Sequence, residues 1–280
     1  MAEQFELYRL SLLLRLQRTI FEREEGPDPT REQYLRRVFG TNLSYNYNSI
    51  AYHYVAEPQS READVVIGRV GRSLIVEENR PPSEGLAETT RESWKAAVVV
   101  LDPKEHADGQ KLAVEIDRNV ANPGSLVLGL IRAFNREYRD GAYSIEWAPI
   151  IEVDSFWAFV ARNKGNVTTL EFEFVVPNMF GGSDSITDEL RSFREREKAR
   201  RVTIKLQSKE GLDPESERTK EAVDYVSKAG GVIRARLKKG RPYSSTDKAI
   251  TGTLPRDGAD GDRTFSRLIR YASHILGRDT

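Results

Sequence analysis

Period-two alternation of apolar and polar residues marks three stretches in the second half of the chain. In residues 167–176, Leu170, Phe172, Phe174 and Val176 share one side, while Thr169, Glu171, Glu173 and Val175 share the other. Residues 201–207 set Val202, Ile204 and Leu206 against Thr203 and Lys205. Residues 231–239 set Ile233, Ala235 and Leu237 against Arg234, Arg236 and Lys238. Each stretch predicts a strand with one apolar and one polar face, which suits a sheet covered by helices on a single side, a two-layer α/β sandwich. Two helices separate the strands. The first starts at Ser185 with a capping-box-like Asp188 three residues on, carries Ile186, Leu190 and Phe193 at helical spacing, and has a basic end from Arg194 to Arg201 that suits the helix dipole. The second is expected to open with Asp213 as N-cap and Pro214 in its first turn, to bury Ala222, Val223, Val226 and Ala229, and to stop at Gly230 and Gly231.

The first half is less regular. Residues 5–16 mix leucines with Arg9 and Arg15, and Leu13 and Leu16 break the alternation of Leu10, Leu12 and Leu14; the reading leans to a strand over a helix. Residues 22–29 read as a charged turn. Thr30 and Gln33 then form a capping box for a short helix with Tyr34, Leu35 and Val38 inward and Gly40 as its stop. Residues 45–55 are aromatic and β-prone, and residues 63–70 and 72–76 predict two strands turned by Gly71. After Pro81 and Pro82, residues 84–93 are expected to be helical and residues 94–101 an apolar strand. A strand at 111–116, a helix at 125–138, a strand at 143–152 and a short helix capped by Asp154 and Ser155 follow. From Lys111 on, strands and helices alternate five strands deep. The expected class is therefore α/β or α+β, a mixed sheet with helices mainly on one face and room for ferredoxin-like or RRM-like units. The expected division is a strand-rich lobe of residues 1–110 and a βα-repeating lobe of residues 111–280.

Composition narrows the chemistry. The 280 residues hold 43 Lys plus Arg and 43 Asp plus Glu, so no global field draws the chain to a polyanion. Cysteine is absent, which removes disulfides, thiolate metal sites and cysteine nucleophiles. The longest apolar runs, such as residues 96–101, are too short to span a bilayer, and the N-terminus lacks a signal-peptide pattern. A cytoplasmic location and no membrane partner are the expectation. Charge is uneven all the same: residues 191–248 carry 17 Lys plus Arg against 9 Asp plus Glu. Such an excess steers an anionic partner, or lets two halves or two copies attract one another.

No phosphate loop, dinucleotide fingerprint or hydrolase serine motif is present, so no cofactor is expected. His53, His106 and His274 stand without metal-ligand spacing. Glu171 and Glu173, on one strand face, have the makings of a magnesium-holding carboxylate pair, yet they equally suit cross-strand pairing with Lys205, Arg234 or Arg236. The remaining candidate is a phosphate-reading surface of Lys205, Arg234, Arg236 and Lys238 on the polar sheet face, continued by Arg241, Tyr243, Ser245 and Thr246 in the following loop. Arginine forks and hydroxyls would grip phosphate there, and Tyr243 would stack on a base.

Several short phrases resemble an uncharacterised family of bacterial proteins, a domain of unknown function associated with mobile elements and phage defence. They are the strand from Leu170 that ends in Pro177 and Asn178, Gly211-Leu212 before a helix, Gly230-Gly231-Val232 before a strand, and Gly240 followed by Ser245 and Thr246. The resemblance spans less than a third of the chain and implies a bacterial defence setting without assigning catalytic residues. The leading expectation is a non-catalytic protein that binds RNA or single-stranded DNA. The alternatives are an interaction or oligomerisation subunit that docks an acidic partner, and a magnesium-dependent nuclease built on Glu171 and Glu173.

Overall fold

A computed structural model describes residues 3–15, 28–59, 63–106, 108–176, 185–255 and 265–278. The first strand, β1 (Glu3–Leu14), organises the larger of two sheets. Its broken alternation has a physical cause: both of its faces are buried. Tyr8, Leu10 and Leu12 point into one core, while Phe5 and Leu7 point into another on the opposite side. Around it lie β2 (Leu43–Tyr47), β3 (Ile50–Ala56), β4 (Val66–Asn79), β5 (Glu88–Asp102), β6 (Gln110–Glu115), β7 (Tyr143–Pro149) and β12 (Thr251–Leu254). The order is β12-β1-β6-β5-β4-β3-β2, and β7 pairs with β1 beyond the reach of β12. Every ladder is antiparallel.

Helices α1 (Arg31–Phe39) and α2 (Pro123–Glu137) cover one face of this sheet. Tyr34, Leu35, Phe39, Leu130 and Phe134 pack there against Tyr54, Val70 and Val99. The capping box of α1 is present, with Thr30 Oγ1 accepting from the Gln33 amide at 3.2 Å and Gln33 Oε1 accepting from the Thr30 amide at 2.9 Å. On the other face, α6 (Phe265–Arg270) and α7 (Ala272–Ile275) bring Leu268 and Ile275 onto Ile67, Val98 and Val100. The segment after α7 is held by charge: Arg278 donates to Asp102 Oδ2 at 3.0 Å and to Asp108, and Lys111 Nζ lies 2.9 Å from Asp108 Oδ2. Burial pushes the Asp108 carboxyl up, but its hydrogen bonds and charge contacts with Lys111 and Arg278 outweigh this and hold it below its ordinary value.

The smaller sheet has the order β11-β10-β8-β9, with β8 (Val167–Val175) between β9 (Arg201–Gln207) and β10 (Gly231–Leu237), and β11 (Tyr243–Ser244) at one edge. These ladders are antiparallel as well. Helices α3 (Val153–Arg162), α4 (Ser185–Glu197) and α5 (Glu217–Ala229) all pack on one face. Phe156, Ile186, Leu190, Val223 and Val226 meet Leu170, Phe172, Phe174 and Ile233 there, with Ile204 partly buried beside them. Full burial of each such side chain contributes about 1.5–3 kcal/mol relative to exposure. The fold is thus a mixed helix and strand architecture, and the small sheet has its helices on a single face, as its alternation predicts.

Several local expectations are corrected. Residues 63–76 do not form two strands turned by Gly71: β4 runs unbroken through Gly71, which pairs with His53 on one side and Ala96 on the other. Residues 84–93 are not a helix. A 3-10 turn at Pro82–Glu84 leads through Gly85 and Leu86, both at positive φ, into β5, whose residues 88–93 pair with residues 74–79 of β4. That segment has too few apolar residues at helical spacing to outweigh a continuous ladder and the β-preference of Thr89 and Thr90. Helix α5 starts later than expected, with Ser216 as N-cap accepting from the Thr219 amide. Asp213 Oδ1 instead accepts from the Glu215 amide at 3.0 Å, an Asx turn ahead of the helix. The strand from 143 ends at Pro149, and α3 begins at Val153, so Asp154 and Ser155 sit inside its first turn. The expected turn at 22–27, Pro177 and Asn178, and the Ser185 cap side chain lie outside the described residues.

The two sheets are joined closely. The division expected near residue 110 falls between β5 and β6, which pair with each other in the larger sheet. Arg9 Nη1 donates to the Ser227 carbonyl of α5 at 2.9 Å, and Arg200 Nη1 donates to Ser144 Oγ of β7 at 3.2 Å. Among the described residues, no helix is long and apolar enough to cross a membrane.

Candidate anion-binding site

The polar face of the small sheet holds the expected cations in register. Arg234 and Lys205 flank Glu171 on its two sides, and Arg236 stands opposite Thr169. Arg234 is neutralised: its Nη1 donates to Glu171 Oε1 at 2.9 Å and to Glu173 Oε2 at 3.3 Å. Glu173 also accepts from Arg201 at 2.5 Å, and Arg201 reaches Glu146 of β7 at 3.0 Å. Burial works against the Arg201 charge, and the two carboxylates prevail, raising its pKa above the ordinary value. Glu171 and Glu173 therefore serve guanidinium groups, and no cluster of three metal-ligating side chains exists among the described residues. Lys205 and Arg236 are exposed and make no ion pair among the described residues.

The loop behaves differently from the reading of a phosphate-gripping turn with a stacking ring. Tyr243 is only 6% exposed; its ring packs on Phe156 and Phe159, and its hydroxyl shares a 2.9 Å hydrogen bond with Ser155 Oγ. Burial raises its pKa. Tyr243 offers no face for a base. Ser245 is fully buried, and its Oγ accepts from the Ile233 amide at 2.9 Å, so its hydroxyl ties the loop to β10. Lys238 Nζ donates to the Glu210 carbonyl at 2.6 Å. Thr246 is exposed and lies 2.7 Å from Ser244 Oγ, while Arg241 is exposed beside Arg162 and Lys248 in an open recess that also contains Asp247. The alternation places the cations outward, while in the loop Tyr243 and Ser245 are taken up by packing and Arg241 and Thr246 stay exposed.

A more strongly cationic place lies at the junction of the two sheets. An open recess of about 340 Å³ is lined by Leu13, Leu14, Arg15, Arg139, Arg194, Lys198, Ala199 and Arg200. Among these lining residues, five are cationic and none is acidic. Strand β1 delivers Arg15 at its end, the turn after α2 delivers Arg139, and the last turn of α4 with the link to β9 delivers the other three. Arg15 is fixed by Nε donation to the Tyr143 carbonyl at 3.1 Å and Nη2 donation to the Asn135 carbonyl at 3.2 Å, and Arg200 by Ser144. Arg139 pairs with Asp140 at 3.2 Å. Lys198 takes a positive φ of 55°, and its amide closes the helix on the Arg194 carbonyl. Burial, with the charge of Arg31 nearby, lowers the Arg194 pKa below its ordinary value. An anion in the recess would relieve that repulsion.

The neighbouring cleft is built differently. There, Arg132, Arg201 and Arg234 line a space of about 530 Å³ together with Glu146 and Glu173, so the charge is largely balanced within the protein. In the recess, none of the lining residues is itself acidic, and Arg139 pairs with Asp140 at its rim. The sequence offered a partial signal, the basic end of α4 from Arg194 to Arg201, but none that joins Arg15 and Arg139 to it. The histidines contribute no site: His53 bonds Ser44 at 2.8 Å, His106 lies 2.9 Å from Asp102, and His274 bonds Thr253 at 3.0 Å. No protein-family model, curated protein or solved structure matches this chain.

Proposed function

We propose that this chain is a non-catalytic nucleic-acid-binding protein that takes single-stranded RNA or DNA by its phosphate backbone, with the five-cation recess as the anchor. The observation that carries this reading is convergence: Arg15, Arg139, Arg194, Lys198 and Arg200, from three separate parts of the chain, line one open recess. Arginine forks bind phosphate oxygens in pairs, and the Arg15 and Arg200 side chains are already held by carbonyl and hydroxyl groups, so little freedom is lost on binding. Lys205 and Arg236, exposed on the polar face of the small sheet, are the further cations that this reading offers to a bound strand. Five cations in one recess fit a backbone of several phosphates better than a single small anion. The family resemblance adds a phage-defence setting to this proposal, and the short apolar runs of the chain a cytoplasmic one.

The test is binding of labelled single-stranded oligonucleotides followed by anisotropy at several salt concentrations. The wild-type protein should bind with a log K that falls steeply with log salt. A folded variant with Arg194→Ala, Lys198→Ala and Arg200→Ala should bind more weakly, with its slope shallower by about 0.7 for each phosphate it no longer neutralises. Wild-type protein that ignores both RNA and DNA oligonucleotides at about 50 mM salt, or a triple variant with unchanged affinity and slope, sinks the reading.

A further inference from the structure

Beyond Gly71, β4 and β5 leave the body of the large sheet as a two-stranded ribbon. Strand β3 pairs with β4 only at residues 68–71, and β6 pairs with β5 only at residues 99–102, whereas β4 and β5 stay in register from Val66 opposite Leu101 to Asn79 opposite Glu88. The outer edge of β4 from Arg72 to Asn79 has no ladder partner among the described residues. Ile75, at its centre, is 80% exposed, and Trp94, diagonal to it on the same face, is 58% exposed. An unpaired edge of this length with a protruding apolar residue is a template for another strand.

The order of residues along this edge identifies the strand. We infer that β4 pairs antiparallel with β4 of a second copy of this chain, across a two-fold axis through Ile75. A two-fold axis perpendicular to the sheet keeps each side chain on its own face, so residue 75 meets residue 75, and residues equally far to either side meet one another. In that register Ile75 packs on Ile75 of the partner subunit. Leu74 meets Val76 of the partner subunit, twice by symmetry. Arg72 meets Glu78 of the partner subunit, also twice, and Ser73 meets Glu77 of the partner subunit. Apolar residues occupy the centre and opposite charges the ends. The charged groups have capacity to spare: Arg72 uses Nε and Nη2 on the Asn119 carbonyl, which leaves Nη1, and Glu78 uses Oε2 on Arg91, which leaves Oε1. The outer edge of β5 offers no such match. Same-face registers there set Glu92 on itself, Arg91 against Lys95, Arg91 on itself or Glu88 against Glu92, like charges that are destabilising directly opposite, while the register centred on Trp94 leaves Arg91, Glu92 and Lys95 opposite uncharged residues with no ion pair at its ends. The result is a continuous four-stranded β5-β4-β4-β5 ribbon with Trp94, Ile75, Ile75 and Trp94 in an apolar strip.

The absence of cysteine makes the test clean. Light scattering on the wild-type chain should give twice its 31.8 kDa mass. Ile75→Lys, at an exposed site where the monomer fold is insensitive to the change, should give the single-chain mass with an unchanged circular-dichroism spectrum. Arg72→Glu should weaken the dimer, and Arg72→Glu combined with Glu78→Arg should restore it. Ile75→Cys should form a disulfide-linked dimer on mild oxidation, reversed by reductant, while Glu92→Cys, two strands removed from its counterpart, should not. A wild-type chain of single mass at the highest concentration that stays in solution overturns the inference. So does a dimer that persists in Ile75→Lys, or equal cross-linking of the two cysteine variants.

Discussion

Arg234 Nη1 donates to Glu171 Oε1 at 2.9 Å directly across the β8–β10 ladder, and Arg236, two residues along the same face, has no such partner among the described residues. Two arginines that look alike in sequence therefore have different work. Arg234→Ala should cost about 0.5–1 kcal/mol, because it leaves Glu171 half-buried without its guanidinium in a partly exposed network. Arg236→Ala should lie within about 0.5 kcal/mol of wild type. Urea denaturation of the two variants checks this, and equal destabilisation would show that the network carries no stability.

The loop after β10 should prove structural. Tyr243→Ala removes a ring packed on Phe156 and Phe159 and should cost about 3–5 kcal/mol, whereas Tyr243→Phe should cost about 1, the value of its bond to Ser155. Ser245→Ala leaves the Ile233 amide buried without an acceptor, a cost of about 1–3 kcal/mol. Thermal unfolding measures all three. If Tyr243→Phe or Ser245→Ala altered oligonucleotide affinity with no loss of stability, the packing role argued from their burial would fail.

Acid sensitivity should arise partly at Asp108. Its carboxyl is held below the ordinary value in the folded chain, so the stability it contributes is present above its unfolded value and is lost as pH falls through the folded one. Near neutral pH, Asp108→Asn should cost about 1–2 kcal/mol, a modest figure because the side chain is 42% exposed and screened. The gap between wild type and variant should close as pH falls below about 4. Denaturation curves at pH 7, 5 and about 3 decide this, and a gap that stays constant with pH would refute it.

What the sequence determined alone is local. Strands β8, β9 and β10 and the polar face they share follow from period-two alternation, which depends only on neighbours along the chain. The capping box at Thr30 and the helix stops at Gly40 and Gly230 are likewise legible, because a cap is settled by a few adjacent residues. The N-cap of α5 was less so: Asp213 and Ser216 both suit a helix start, and the choice of Ser216 rests on where α5 docks in the small-sheet core. Tertiary structure alone decided which side chains meet. The β5 ladder overrode a weak helical pattern at residues 84–93, because its pairing partners lie across a hairpin that residue spacing does not reveal. Burial of Tyr243 and Ser245 was invisible for the same reason: Ser155, Phe156 and Phe159 reach Tyr243 only after α3 packs on the small sheet, and Ser245 meets the Ile233 amide only once the loop folds back on β10. The five-cation recess is the clearest case. Arg15, Arg139 and Arg200 come together because β1 pairs with β7 and β7 abuts the start of β9, and electrostatic fields add in space rather than along the chain.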